Sequence, residues 1–120
     1  MHKEGHNLRL RTKNFALQIL RFFPKVPRTL EGQVLGKQLL RSGTSVGANY
    51  REAYRGRSKP EFIAKCGDSL RELEESRYWL ELLVESNLVS QETIEPLKDE
   101  CNELIAIFVT ILKRSKENLS

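Results

Sequence analysis

Small and apolar residues recur along this sequence in alternating steps of four and three, and the pattern stops only at prolines or helix-capping residues. Leu8, Thr12, Phe15, Ile19 and Phe22 follow it first. Leu35, Leu39, Ser42, Val46, Asn49, Ala53 and Gly56 follow it next, then Phe62, Cys66, Ser69, Leu73, Ser76, Leu80 and Leu83. Leu97, Cys101, Leu104, Phe108 and Ile111 complete it. A step averaging three and a half residues keeps one stripe of a helix turned toward its neighbours at a shallow crossing angle. Four such stripes within 120 residues predict an all-α chain, a single domain folded as an antiparallel up-down four-helix bundle.

The breaks place the helices. Pro24 and Pro27 end the first, and Thr29 is a suitable N-cap for the second. Ser58 precedes Pro60 and Glu61, a proline in a first turn followed by an acid at the capping-box position. Asn87 closes the third helix, and Ser90 with Thr93 opens the fourth. The expected spans are about 7–23, 30–56, 60–86 and 91–116.

Charge is distributed unevenly. The net charge of +4 hides a basic first half, in which residues 1–60 hold thirteen Lys/Arg against three acids. Residues 61–103 hold four bases against twelve acids. At 39% hydrophobic and 30% charged, the composition is that of a folded, water-exposed helical domain rather than a disordered chain. No apolar run approaches the length of a membrane span, and the N-terminal residues lack the apolar core of a signal peptide. A cytoplasmic location is expected.

The segment from Arg41 to Lys59 concentrates the bases. By composition, with Gly43, Gly47, Gly56 and several serines, it reads as a loop. By helical angle it has two faces. With 100° per residue, Lys37, Arg41, Thr44, Ala48, Arg51 and Arg55 fall on one side, opposite the stripe of Leu39, Ser42, Val46 and Ala53. Arg57 and Lys59 extend the basic stripe past the helix end. The small residues in the middle of the second and third helices suit a close approach of those two axes. Mid-helix Gly43 and Gly47, each about 1 kcal/mol worse than Ala, imply a packing requirement.

The basic stripe has two readings. Lys37, Arg41, Arg51, Arg55, Arg57 and Lys59 are candidates for phosphate contacts along an RNA or DNA backbone. Alternatively they are a solvated face, or pair with Glu72, Glu75, Glu81 and Glu85 of the third helix in the same or a neighbouring subunit. Tyr50 and Tyr54, one turn apart, can stack bases or pack at an interface.

Catalytic chemistry finds no constellation here. Ser42, Thr44 and Ser45 have no histidine to activate them, and GTSVG lacks the lysine of a phosphate-binding loop. The carboxylates of the third helix have no Glu-x-x-His partners for a di-metal site. His2 and His6 have the spacing of a helical metal pair, but Gly5 and the terminal position count against it. In a hairpin turning near Leu88, Cys66 and Cys101 are offset by about 15 Å along the axis, beyond the roughly 7 Å a disulfide spans. They are expected as buried thiols. No enzyme, metal, cofactor or small-molecule substrate is predicted.

The run LLRSGTSVGANYREAYRGRSKPEFIAKCGDSLRELEESRYWLELL, with the amphipathic helix that follows, closely resembles the 23S rRNA intervening-sequence proteins. The resemblance extends from about Asn14 to Leu112, and Arg41, Asn49, Glu52, Gly56, Arg57 and Ser58 match its recurring pattern. In YREAYRGRS, tyrosines stand where many members carry Ile and Gly. The resemblance implies an antiparallel bundle that assembles into a ring-like homopentamer. A related branch, the accessory variability protein of diversity-generating retroelements, implies a basic surface that engages nucleic acid and a reverse transcriptase. What is implied for this chain is therefore a non-enzymatic oligomer binding nucleic acid through its basic stripe, or a scaffold whose stripe meets the acidic helix of a neighbour.

Overall fold

The structure, a computed structural model, describes residues 2–117, with side chains from residue 7. Four helices follow one another: α1 His2–Phe22, α2 Leu30–Tyr54, α3 Lys59–Glu85 and α4 Gln91–Glu117. Helices of 25 to 27 residues rise about 40 Å at 1.5 Å per residue, which accounts for a body of 48 × 21 × 21 Å. Each helix packs on the next, α2 against α3 most extensively, and α1 meets α4 least.

The turns are built from local chemistry. After α1 a short 3-10 turn, Phe23–Lys25, carries Pro24, and Val26 turns extended and buries its side chain. Thr29 caps α2 by accepting from the Gly32 amide at 3.2 Å. Only glycine fits at position 32, because a Cβ there would stand 2.4 Å from the Pro27 carbonyl oxygen. Ser58 caps α3 by accepting from the Glu61 amide at 3.3 Å, and the Glu61 carboxylate accepts from the Arg57 amide at 2.9 Å. Asn87 takes φ 62°, and the Leu88 amide returns to the Leu83 carbonyl while the Asn87 amide returns to Val84. That pairing of bonds is the Schellman closure of a helix. Ser90 then caps α4 at the Thr93 amide, 3.3 Å away.

Two boundaries differ from expectation. α1 begins at His2 rather than near Asn7, so Gly5 weakens the helix without ending it. α2 stops at Tyr54 instead of Gly56. There the Gly56 amide bonds the Ala53 carbonyl, a tightening that leaves Gly56 exposed in the turn and off the stripe.

The expected stripes form the core. Leu8, Thr12, Phe15, Ile19 and Phe22 are all buried, as are Cys66, Ser69, Leu73, Ser76, Leu80 and Leu83. Leu97, Cys101, Leu104 and Phe108 join them from α4, while Leu35, Asn49, Phe62 and Ile111 are half-buried at the margins.

Small residues do bring α2 and α3 together, but through serines. Ser42 and Ser76 share a hydrogen bond of 2.8 Å, and Ser69 donates to the Val46 carbonyl at 2.8 Å. The glycines serve the other side of α2. A Cβ at Gly43 would lie 2.1 Å from Ile19 Cδ1, and one at Gly47 would lie 3.1 Å from Thr12 Oγ1. Gly43 and Gly47 thus admit α1, and their spacing of four records a second packing face rather than a share in the first.

Cys66 and Cys101 are free, buried thiols. Desolvation pushes each up to about 12, so both stay protonated and unreactive at neutral pH. Among the described residues no helix is long and apolar enough to cross a membrane.

Candidate nucleic-acid interface

Lys37, Arg41, Arg51, Arg55, Arg57 and Lys59 all lie on the exposed surface, and Thr44 and Ala48 lie between them on the same exposed face of α2. The structure nevertheless divides them. Arg41 reaches across to α3, where its guanidinium pairs with Glu72 at 3.2 Å and with Glu75, while its Nε donates to Gln38. The hydrogen bond to Glu75 above all raises the Arg41 pKa, against the opposing effect of desolvation. Two of the four carboxylates that the sequence offers as partners of the stripe, Glu72 and Glu75, are therefore met within one chain, at the α2–α3 seam. Lys65 to Glu52 at 3.2 Å continues that seam, while Arg71 pairs with Asp68 at 2.7 Å within α3.

Lys37 stands apart as well. It precedes Arg51 by fourteen residues, about 21 Å along the axis. Arg57, in the turn after α2, and Lys59, the first residue of α3, flank the Ser58 cap, and the Arg57 amide donates to the Glu61 carboxylate.

Arg51 and Arg55 are brought together with a residue that the sequence did not point to. Arg9, from α1, sits with its guanidinium carbon 4.9 Å from the centroid of the Tyr54 ring. Arg9, Arg51, Tyr54 and Arg55 line a cleft of about 360 Å³ between the two helices. None of the three arginines makes an ion pair among the described residues, in contrast to Arg41 and Arg11. Arg11, two residues after Arg9, is bound to Glu100 and Glu103 of α4.

Arg9 follows from register. Thr12 lies against Gly47, so the residue one turn before Thr12 faces the helix turn that carries Arg51 and Tyr54. The missing signal was which face of α2 receives α1, and that depends on the glycines.

The two tyrosines separate in role. Tyr50 is buried, edge-on to Phe108 with ring centres 5.6 Å apart, and so is a core residue unable to stack a base. Tyr54 is half-buried, 6.2 Å from Tyr50 and under Arg9.

The cleft sits at one charged end of the bundle. Antiparallel packing gathers the start of α1, the end of α2, the start of α3 and the end of α4. Residues 7–12, 43–72 and 104–117 hold eleven bases against five acids, whereas 13–42 and 73–103 hold eight against ten. The fold thus has one basic end, set off by the acids that residues 73–103 gather at the other, and an uneven field of this kind attracts polyanions.

No group of three or more metal-binding side chains occurs among the described residues. The His2 and His6 side chains lie outside the described residues.

Comparison with known proteins adds a family. No curated protein matches the chain. Among solved structures, a protein of unknown function from the S23 ribosomal protein family of Bacteroides thetaiotaomicron superimposes with a TM-score of 0.84 at 33% identity. The match covers 91% of this chain and 97% of that one. The sequence model of the 23S rRNA-intervening sequence protein family matches residues 7–110, a span that takes in the glycine face of α2, the capped turn at Ser58 and the cleft. With nearly the whole bundle inside that match, the chain belongs to the 23S rRNA-intervening sequence protein family.

Proposed function

We propose that this protein is a non-enzymatic, cytoplasmic nucleic-acid-binding bundle, and that it grips the backbone of RNA or DNA through its basic end. The observation that carries this reading is the contrast in pairing. Arg41 is neutralised by its own α3, whereas Arg9, Arg51 and Arg55 converge in one cleft with no carboxylate paired to them among the described residues. Uncompensated like charges repel unless an anion joins them, and a phosphate supplies that anion with bidentate geometry. Arg57 and Lys59 widen the same surface, while Lys37 and Arg41 contribute little.

Assembly into a ring-like homopentamer would repeat this surface and multiply weak contacts into tight binding. Gel-shift titration with RNA and DNA across a salt series tests the reading. The expected result is sequence-tolerant binding that weakens steeply as salt rises. No shift at low salt would end it.

The rival reading, a scaffold whose stripe meets the acidic third helix of a neighbour, loses Glu72 and Glu75 to Arg41 of the same chain. It expects R51E/R55E to break the oligomer. Light scattering that finds the variant still assembled would count against it.

A further inference from the structure

We infer that the Arg9–Arg51–Tyr54–Arg55 cleft is the anchoring subsite for a phosphodiester of single-stranded nucleic acid, and that Tyr54 acts there as a positioning residue. This rests on the nucleic-acid reading above and sharpens it to one place and one strand form.

Arg9 comes from α1, while Arg51 and Arg55 come from one face of α2, a single turn apart. Brought into one cleft of about 360 Å³, the Arg9 cation is repelled by the other two and has no acid to hold it among the described residues. The Tyr54 ring does hold it, since a guanidinium within about 6 Å of an aromatic centroid is attracted to the ring face and Arg9 lies at 4.9 Å. Tyr54 is itself fixed from beneath, because Tyr50 is buried against Phe108 and meets the Tyr54 ring at 48°. A line of aromatic contacts therefore runs from the core to the Arg9 guanidinium.

The geometry favours a single strand. A recess between two helices must be entered by a phosphate that can leave the line of its neighbours. A flexible strand permits this, and a duplex holds its phosphates on a rigid cylinder. A guanidinium over a ring can also stack on an unpaired base, which a duplex keeps stacked inside.

The test measures anisotropy of a 5′-labelled oligothymidylate of about 15 nucleotides, and of a duplex of the same length, across a salt series. The full chain is compared with R9Q, Y54F, Y54L and R9Q/Y54L, each checked by circular dichroism for an intact helical fold. R9Q is expected to weaken single-strand binding about fivefold to tenfold and to lower the salt slope by about 0.7.

Y54L changes no charge, yet it is expected to lower the slope by the same amount, because it releases Arg9 from the phosphate. Y54F keeps the ring and is expected to bind as wild type. The double variant is expected to match R9Q, and the duplex to lose less than the single strand in every case. A Y54L slope equal to wild type, or a double variant whose losses add, overturns the positioning role. Equal losses on duplex and single strand overturn the strand assignment. Wild-type binding that is indifferent to R9Q and Y54L removes the cleft alone, whereas no wild-type binding at all removes the nucleic-acid reading with it.

Discussion

Arg41 and Arg51 lie ten residues apart on the same exposed face of α2, and the fold treats them in opposite ways. Arg41 stands beside the Ser42–Ser76 contact between α2 and α3, so Glu72 and Glu75 fall within its reach. Arg51 stands where α2 faces the start of α1, and what it meets there is Arg9 and Tyr54. Position along the helix decides the outcome, because Glu72 and Glu75 of α3 lie within reach of Arg41 while α1 brings a further base, Arg9, beside Arg51. A stripe uniform in sequence thus becomes a structural cation at its middle and an uncompensated cluster at its end.

The largest expected consequence is in binding. R51E/R55E replaces two candidate phosphate contacts by two repulsions, and a loss of at least about 100-fold in RNA affinity at low salt is expected. R41E is expected to stay within about threefold of wild type, since its cation is already neutralised. Parallel titrations of the two variants check the contrast, and equal losses would erase the distinction between seam and cleft.

The same distinction between filled and open surroundings applies to the glycines. Gly43→Ala places a methyl against Ile19, which must change rotamer, and a net loss of about 1–2 kcal/mol is expected from overpacking. At Gly67 a Cβ would meet nothing within 4 Å. Gly67→Ala is expected to stabilise the isolated bundle by up to about 1 kcal/mol through helix propensity alone. Urea unfolding of both variants gives the signs. A destabilised Gly67→Ala would mean that a neighbouring copy packs closely there.

How much of this was legible in the sequence varies by element. The steps of four and three placed the buried stripe of every helix, because that periodicity is set by helix geometry and needs no knowledge of neighbours. The capping residues Thr29, Ser58 and Asn87 placed the turns for the same local reason. The partner of each face was not legible. Gly43 and Gly47 announced close packing, yet only the three-dimensional arrangement assigns it to α1. Arg9 stayed hidden because its role depends on that assignment, as did the burial of Tyr50 against Phe108. Arg41 and Arg51 carry the same side chain on the same face, so only the position of the acids on α3 separates them.

A smaller effect measures the seam itself. Arg41 is about half exposed, with 49% of its side chain accessible, so its pairing is screened by solvent and a coupling of about 0.5–1 kcal/mol with Glu75 is expected. A double-mutant cycle of Arg41→Ala and Glu75→Ala in urea isolates it, and the coupling should shrink as salt rises. The raised Arg41 pKa makes this contribution constant across the accessible range. On the arginine side it is fully present below the ordinary arginine value and is lost as pH climbs through the higher folded one, so a coupling that changes between pH 6 and 9 would point to another pair.

The smallest effect has the opposite sign and belongs to the cleft. Arg51→Gln or Arg55→Gln removes a cation from a cluster of three that pairs with no carboxylate among the described residues, so in the absence of nucleic acid the variants should melt slightly above wild type. The gain arises from relieved repulsion and should vanish at high salt, where charges across the cleft are screened within a Debye length. An Arg41→Gln control loses its pair and should melt slightly below wild type. Differential scanning calorimetry at low and high salt reads all three. A cleft variant that melts lower than wild type would mean that Arg51 or Arg55 already has an anionic partner in solution, and the contrast with Arg41 would then be one of partner rather than of pairing.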